Sequence, residues 1–309
     1  MEIFDPQILK QLYLPSSSSH KGDNGKLLII GGSHLFHAAS LWSLTIASKI
    51  VDMVFYSSVP ENNQLVLEAK KEFRNGIVVL RDDIERYLEE ADCVLIGPGM
   101  MRADPTRIRN QESGIMGLAE INALEDEGEQ AYWLTKYLLE KYPEKKWVID
   151  AGALQMMEPE WLLGLNGNVI VTPHPGEFEK LELGIKNQEL SKTIKHAALE
   201  KKVALFASEF RCTVLLKGEV DTVCSPLACV SIAGGNAGMT KGGTGDVLAG
   251  LVAALACKND LFLAAQAGSY LNKEAGDSLF KKVGYYFNAS DLADEIPRVM
   301  KELFLSSRT

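Results

Sequence analysis

Short runs of consecutive apolar residues recur along the chain, each closed by glycine, proline or a polar residue. Lys26–Ile30 ends at Gly31-Gly32, and Cys93–Ile96 ends at Gly97-Pro98-Gly99. Trp147–Ile149 stops at Asp150, Val169–Val171 at Thr172-Pro173, and Thr213–Leu216 at Lys217-Gly218. Runs this short have the length of strands rather than of helices. Val51–Val59 and the weaker Gly76–Leu80 read the same way, as do two short pieces at Thr222-Val223 and Cys229–Ile232. Helical patterns lie between them, over Ala38–Lys49, over a stretch that includes Tyr132–Tyr142, over residues 187–209, and from Asp246 to the C-terminus. Residues 1–25 read as a polar approach, and residues 100–130 as an acidic loop leading into a helix. The apolar runs are continuous rather than alternating, which predicts strands buried on both faces. Strands alternating with helices predict a mostly parallel sheet between two helical layers. No linker interrupts residues 26–290, so residues 1–309 are expected to form a single domain.

Composition narrows the function classes. A hydrophobic share of 46% with 24% charged residues is ordinary for a globular protein. The formal net charge of -9 argues against a surface that coats nucleic acid. No apolar run is long enough to span a membrane, and the first residues show no basic region followed by an apolar stretch. The five cysteines include no CxxC pair, so neither a structural zinc site nor a disulfide framework is expected. A reduced, cytoplasmic protein is the simplest expectation.

In an open parallel sheet, ligands bind beyond the carboxyl ends of the strands. The turn residues Gly31–Ser33, Gly97–Gly99, Asp150–Gly152, Thr172–Glu177 and Lys217-Gly218 all fall at such ends. Together they predict one shared cleft. The glycine-dense segment Gly234–Gly250 runs directly into the apolar stretch Val247–Ala256. Glycines let successive backbone N–H groups turn toward one point, and a following helix adds free donors and a positive dipole end. Such a site suits a phosphoryl group in transfer. Asp246, in the first turn of that helix, is read as a general base, with an N-cap as the alternative. His174, stiffened between Pro173 and Pro175, is read as a ligand contact rather than a turn-stabilising residue. Glu177 either reaches the cleft or caps the next helix. Lys217 is placed to meet a phosphate as a point charge. Neither a Walker loop nor a Rossmann fingerprint is present.

These segments resemble the ADP/ATP-dependent NAD(P)H-hydrate dehydratases, the carbohydrate-kinase-like domain of the YjeF C-terminal type. The resemblance rests on Ser19–Lys26 with Ile30–Ser33, on Gly97-Pro98-Gly99, on Val171–Phe178 with its Thr-Pro-His-Pro-Gly-Glu core, on Leu216–Asp221 and on Asn236–Gly250. They stand in family order over residues 16–285. The resemblance implies a ribokinase-like three-layer α/β/α fold and a hydro-lyase. A nucleotide, ADP or ATP with Mg²⁺, would phosphorylate the C6 hydroxyl of hydrated NADH or NADPH, and phosphate would then leave. Asp246 would take the hydroxyl proton, with Gly243, Thr244 and Gly245 forming the anion hole. Lys217, Gly218, Glu219, Val220 and Asp221 would meet the adenine nucleotide, with Gly245 at its phosphates. Ala39, Gly99, His174 and Asp246 would contact the damaged dinucleotide. No resident metal site is implied. A homo-oligomer, a tetramer, and a separate NAD(P)HX epimerase as pathway partner complete the expectation.

The chain departs from the family pattern on the substrate side. Ala38-Ala39 stands for Gly-Ala, the glycines expected near Lys49–Asp52 are replaced, Met101 stands for the last glycine of Gly-Leu-Gly, and Gly152 for the second aspartate of Asp-Ala-Asp. The altered half leaves two other readings: a kinase of the same fold acting on a small alcohol, and a nucleotide-binding protein without catalysis. Release of inorganic phosphate separates the first from a dehydratase, and the intact Asp246 loop weighs against the second.

Overall fold

In the computed structural model, which describes residues 2–104, 108 and 116–305, the apolar runs become the strands of one ten-stranded sheet. The strands are β1 (Glu2–Ile3), β2 (Lys26–Ile30), β3 (Met53–Ser57), β4 (Ile77–Val78), β5 (Cys93–Ile96), β6 (Lys146–Ile149), β7 (Val169–Val171), β8 (Thr213–Leu216), β9 (Asp221–Cys224) and β10 (Cys229–Ile232). Their order is β1-β10-β9-β8-β7-β6-β5-β2-β3-β4. Every pairing is parallel except those of β9, which runs antiparallel to β8 and β10.

The period of two along each strand shows why the runs are apolar throughout. Leu27, Ile29, Leu95, Val148, Ile170 and Leu215 enter one core, and Leu28, Ile30, Val94, Ile96, Ile149 and Val171 enter the other. Helices cover both faces. They are α1 (His37–Ala47), α2 (Pro60–Ala69), α3 (Ile84–Glu90), α4 (Leu118–Asn122), α5 (Glu127–Lys141), α6 (Ala151–Met156), α7 (Pro175–Gly184), α8 (Gln188–Lys195), α9 (Leu199–Glu209), α10 (Thr244–Ala256), α11 (Leu261–Val283) and α12 (Ala289–Leu305). α10 is buried over Val247–Ala256 because α1 and α11 flank it and its residues are apolar all round. Among the described residues no helix is long and apolar enough to cross a membrane.

Several expectations are corrected. Residues 1–25 are not only a polar approach: β1 pairs with β10, a 3₁₀ turn spans Pro6–Gln11, and Phe4, Leu9 and Leu12 enter the core. The Phe4 ring lies 4.8 Å from that of Tyr270 on α11. The expected helix over 187–209 is two helices, broken where Ala198 turns extended. The loop expected over 100–130 lies partly outside the described residues; its later part forms α4 and the start of α5. The reading of all cysteines as reduced is overturned. Antiparallel register sets Cys224 directly opposite Cys229, and the two form a disulfide, while Cys93, Cys212 and Cys257 are free and buried.

Candidate active site

The strand ends are tied to one another across the sheet. Gly31 N–H donates to Ser57 O at 3.1 Å, Gly32 N–H to Pro98 O at 2.7 Å, and Gly97 N–H to Ile30 O at 3.0 Å. Asp150 N–H donates to Ile96 O at 3.1 Å, Gly152 N–H to Gly97 O at 3.2 Å, Thr172 N–H to Ile149 O at 3.2 Å, and Lys217 N–H to Pro173 O at 2.8 Å. The punctuation read from the sequence is thus one continuous seam from β3 to β8, and the side chains that chemistry needs project from it.

Three carboxylates gather around one lysine. Lys217 Nζ donates to Asp150 Oδ1 at 2.9 Å and lies 3.8 Å from Glu177 Oε2. Thr172 Oγ1 donates to the same Asp150 oxygen at 2.8 Å. Asp246 completes the group electrostatically. Burial pushes the Asp246 carboxyl up to about 7, the charge of Asp150 adds to that, and Lys217 opposes it. Burial works against the Lys217 ammonium, but Asp150 and Glu177 more than offset it and its pKa ends raised. Asp246 is therefore a carboxyl balanced near neutrality beside a lysine that stays charged. This is the condition for accepting a proton at physiological pH.

The glycine-dense segment delivers Asp246 to that group. Gly243 is the N-cap of α10, with φ +97°, and a Cβ there would lie 2.4 Å from the Trp42 ring. Only glycine fits both the left-handed turn and the space. Thr244 Oγ1 turns back to donate to Met239 O at 2.6 Å and Lys241 O at 2.9 Å, which fixes the loop. The hydroxyl is thus committed inward and Thr244 N–H donates to Lys241 O at 3.4 Å, which leaves the Gly245 N–H as a first-turn donor an anion would meet. Asp246 is the third helical residue and makes no side-chain cap bond, so the N-cap reading does not hold.

His174 does hold its helix start: its Nδ1 accepts from Gly176 N–H at 3.1 Å and Glu177 N–H at 3.2 Å. The ring is otherwise exposed, and its Nε2 lies 3.6 Å from Glu177 Oε1. Glu177 both caps and reaches the cleft. Its Oε2 accepts from His174 N–H at 2.9 Å, and its Oε1 accepts from Gln155 Nε2 at 2.9 Å. Gly99 and Ala39 meet: a Cβ on Gly99, whose φ is +73°, would lie 3.0 Å from Ala39 Cβ and 2.6 Å from Phe36 O. At Gly152 a Cβ would fall 2.2 Å from Met100 O, so an aspartate there needs a different course for the Gly99–Met101 turn. Gly152 thus packs against the turn that carries Met101, through Met100.

Beside Lys217 opens a cavity of about 500 Å³ that Gly218, Glu219, Asp221, Thr244 and Gly245 also line. Val220 is not among its walls; its side chain is half exposed. Asp221 acts from within the wall, its Oδ1 accepting from Gly218 N–H at 2.8 Å and its Oδ2 from Ser269 Oγ at 2.7 Å. The sequence reading missed Lys273, whose buried ammonium donates to Gly218 O at 3.1 Å, Glu219 O at 3.0 Å and Gly234 O at 3.2 Å, 3.3 Å from Asp221. It also gave Asp150 and Thr172 no chemical role. The signal for Asp150 was a carboxylate directly after a fully buried strand.

The profile of a family described as NAD(P)H-hydrate dehydratase matches residues 27–298. The chain is 37% identical over 299 residues to the ADP-dependent (S)-NAD(P)H-hydrate dehydratase of Nitrosopumilus maritimus, covering 95% of each. It is 34% identical over 301 residues to the bifunctional NAD(P)H-hydrate repair enzyme Nnr of Methanocaldococcus jannaschii, covering 95% of this chain and 51% of that one. It thus spans about half the length of the bifunctional relatives it matches. The fold matches a ribokinase-like superfamily protein of Enterococcus faecalis with TM-score 0.75 at 21% identity, over 98% of this chain and 96% of that one. It also matches the ADP/ATP-dependent NAD(P)H-hydrate dehydratase of Bacillus subtilis co-crystallized with ATP/Mg²⁺, with TM-score 0.71 at 21% identity and 98% of each chain covered. The fold is ribokinase-like, as the sequence motifs implied.

Proposed function

The chain belongs to the NAD(P)H-hydrate dehydratase family, and from that premise we propose that it is a nucleotide-dependent hydro-lyase that returns hydrated NADH and NADPH to the reduced cofactors. The observation that carries this reading is the placement of Asp246, its carboxyl pushed up to about 7 by burial, in the first turn of α10 within the electrostatic reach of Lys217. Asp246 takes the proton of the C6 hydroxyl as its oxygen attacks the terminal phosphoryl group of ADP or ATP. The bond from that phosphorus to its bridging oxygen breaks, and AMP or ADP leaves. The C6–O bond then breaks with loss of phosphate and of a proton from C5, which restores the ring double bond. Lys217 and the backbone donors at Gly243–Gly245 hold the phosphoryl charge while it moves. Ala39, Gly99 and His174 receive the dinucleotide. Lys217–Asp221 bind the nucleotide, with Gly218, Glu219 and Asp221 at the cavity wall.

Mg²⁺ belongs with the nucleotide rather than with a resident site. Asp150 and Glu177 suit an ion held by one or two carboxylates together with phosphates. When bound, it neutralises phosphate charge. A single domain over residues 1–309, a homotetramer, a cytoplasmic location beside the nicotinamide pool, and a partner NAD(P)HX epimerase belong to the same reading. The family match favours dehydration over the small-alcohol kinase.

The test is incubation with hydrated NADH, Mg²⁺ and ADP or ATP. Reduced-nicotinamide absorbance and inorganic phosphate should rise together in equal amounts. A stable phosphoester without recovered NADH would overturn the proposal in favour of a kinase.

A further inference from the structure

Glu177 faces Lys217 with one carboxylate oxygen and Gln155 with the other. Beyond Gln155 opens a second cavity, of about 310 Å³, between α6 and α7. Two cations meet at its wall. Arg102 Nη1 donates to Gln155 Oε1 at 2.8 Å, and Lys180 Nζ donates to the same oxygen at 2.9 Å. Gln155 Nε2 is committed to Glu177, which fixes the amide with its oxygen toward the cations. Both cationic side chains are exposed, and among the described residues their shared partner is this neutral oxygen rather than a carboxylate. Two like charges drawn to one neutral atom repel each other, and an anion placed between them turns that repulsion into attraction.

The elements that carry the pair are those of the substrate side. Arg102 directly follows the Gly99–Met101 turn, and Gly152, one turn before Gln155 on α6, packs against Met100 of that turn. Lys180 stands one turn beyond Glu177 on α7, and Glu177 one turn beyond His174, so the three share a face. Leu154, Met156, Met157 and Leu181 give the cavity an apolar wall beside the cations. Apolar wall with a few placed charges suits a flat group that carries an anion. We propose that this cavity receives the adenosine half of the hydrated dinucleotide, with Arg102 and Lys180 holding one of its phosphates. The guanidinium meets phosphate oxygens at two points, and the ammonium adds a point charge. That half has a phosphate at either end: the pyrophosphate, common to both substrates, and the 2′-phosphate, which only hydrated NADPH carries and which an arginine commonly accommodates. The inference rests on the dehydratase reading above.

The test is initial-rate kinetics of the full chain with hydrated NADPH and with hydrated NADH, at saturating ADP or ATP and Mg²⁺. The proteins are the parent, Arg102→Ala, Lys180→Ala and the charge-keeping Lys180→Arg. Each alanine variant should raise KM about 5- to 20-fold, as loss of a charge-assisted bond at an exposed site does. The kcat should stay within about twofold, the pattern of lost binding rather than lost chemistry. Nucleotide affinity, by calorimetry, should not move, and Lys180→Arg should stay near the parent. A rise confined to hydrated NADPH puts the 2′-phosphate on the pair, and an equal rise for both substrates puts the pyrophosphate there; either supports the proposal. Should an alanine variant fail to fold, Arg102→Gln and Lys180→Gln remove the charge and keep the bulk. Unmoved KM for both substrates overturns the assignment and leaves the proposed activity standing. So does a fall in kcat at constant KM, which would make the pair a prop for Gln155 and Glu177. A parent that turns over neither substrate overturns both.

Discussion

Replacing Asp246 with asparagine separates chemistry from architecture. The side chain keeps its shape and its accepting oxygen but takes no proton. Loss of a general base lowers the rate by about 10²–10⁴-fold. Stability should move the other way. The carboxyl titrates at about 7 in place against an ordinary 3.8, and at ~1.36 kcal/mol per pH unit that corresponds to at most about 4 kcal/mol of cost for the ionised form. Asp246 keeps contact with the open cleft, so screening reduces the figure to about 1–3 kcal/mol. For a chain of this length that is a rise of roughly 2–5 °C in Tm. The sign follows from linkage. A carboxyl whose folded pKa is raised favours the folded state most below its unfolded pKa and loses that contribution as pH rises through about 7. The variant's advantage should therefore widen from pH ~4 to pH ~7 and level off above it. The assays are single-turnover phosphate release and calorimetric melting across that range. A folded variant retaining more than about a tenth of the parental kcat would refute the base assignment. A variant that melts lower than the parent at pH 8 would refute the electrostatic account.

Lys217→Met removes the cation that Asp150 and Glu177 share and should destabilise the fold by about 3–5 kcal/mol. It should also carry the acid limb of the kcat/KM profile above pH 7, because Lys217 holds the Asp246 pKa down; an unmoved limb would count against their coupling. Gly243→Ala forces a side chain into a left-handed turn and into the Trp42 ring, and a shifted Asp246 should cost about 10²-fold in kcat with nucleotide still bound. Met101→Gly should lower KM for the hydrated dinucleotide and leave nucleotide affinity unchanged, as measured by initial rates and calorimetry.

The buried strands were legible because each is apolar on both faces: Leu27–Ile30 and Cys93–Ile96 contain no polar residue to confuse the reading. β1 was not, since two exposed residues carry no period, and only pairing with β10 makes them a strand. The disulfide was hidden for a related reason. A spacing of five residues says nothing until the hairpin register sets the two thiols face to face. Asp246 and Lys217 stood out in the sequence because they interrupt glycine-rich or apolar segments. Lys273 did not, because a polar residue in a long helix reads as part of its wet face, and its burial depends on β8, β9 and the Gly234 loop packing over α11. Local chemistry shows in sequence; the neighbours that redirect it come from elsewhere in the chain.

The seam of bonds between neighbouring strand ends bears on how the molecule breathes. The amides of Gly32, Gly97, Asp150, Thr172 and Lys217 each donate across to the adjacent strand end, so none can exchange its hydrogen unless that strand end parts from its neighbour. Segments tied in this way open as cooperative units rather than one residue at a time. The platform beneath the acid cluster should accordingly exchange slowly and as a block, while the exposed turn at Leu227, held only by bonds within itself to Ser225 and Ala228, exchanges faster. Substrate and nucleotide then arrive at a surface whose relative positions were set at folding, and the motions of turnover fall to the turns above it.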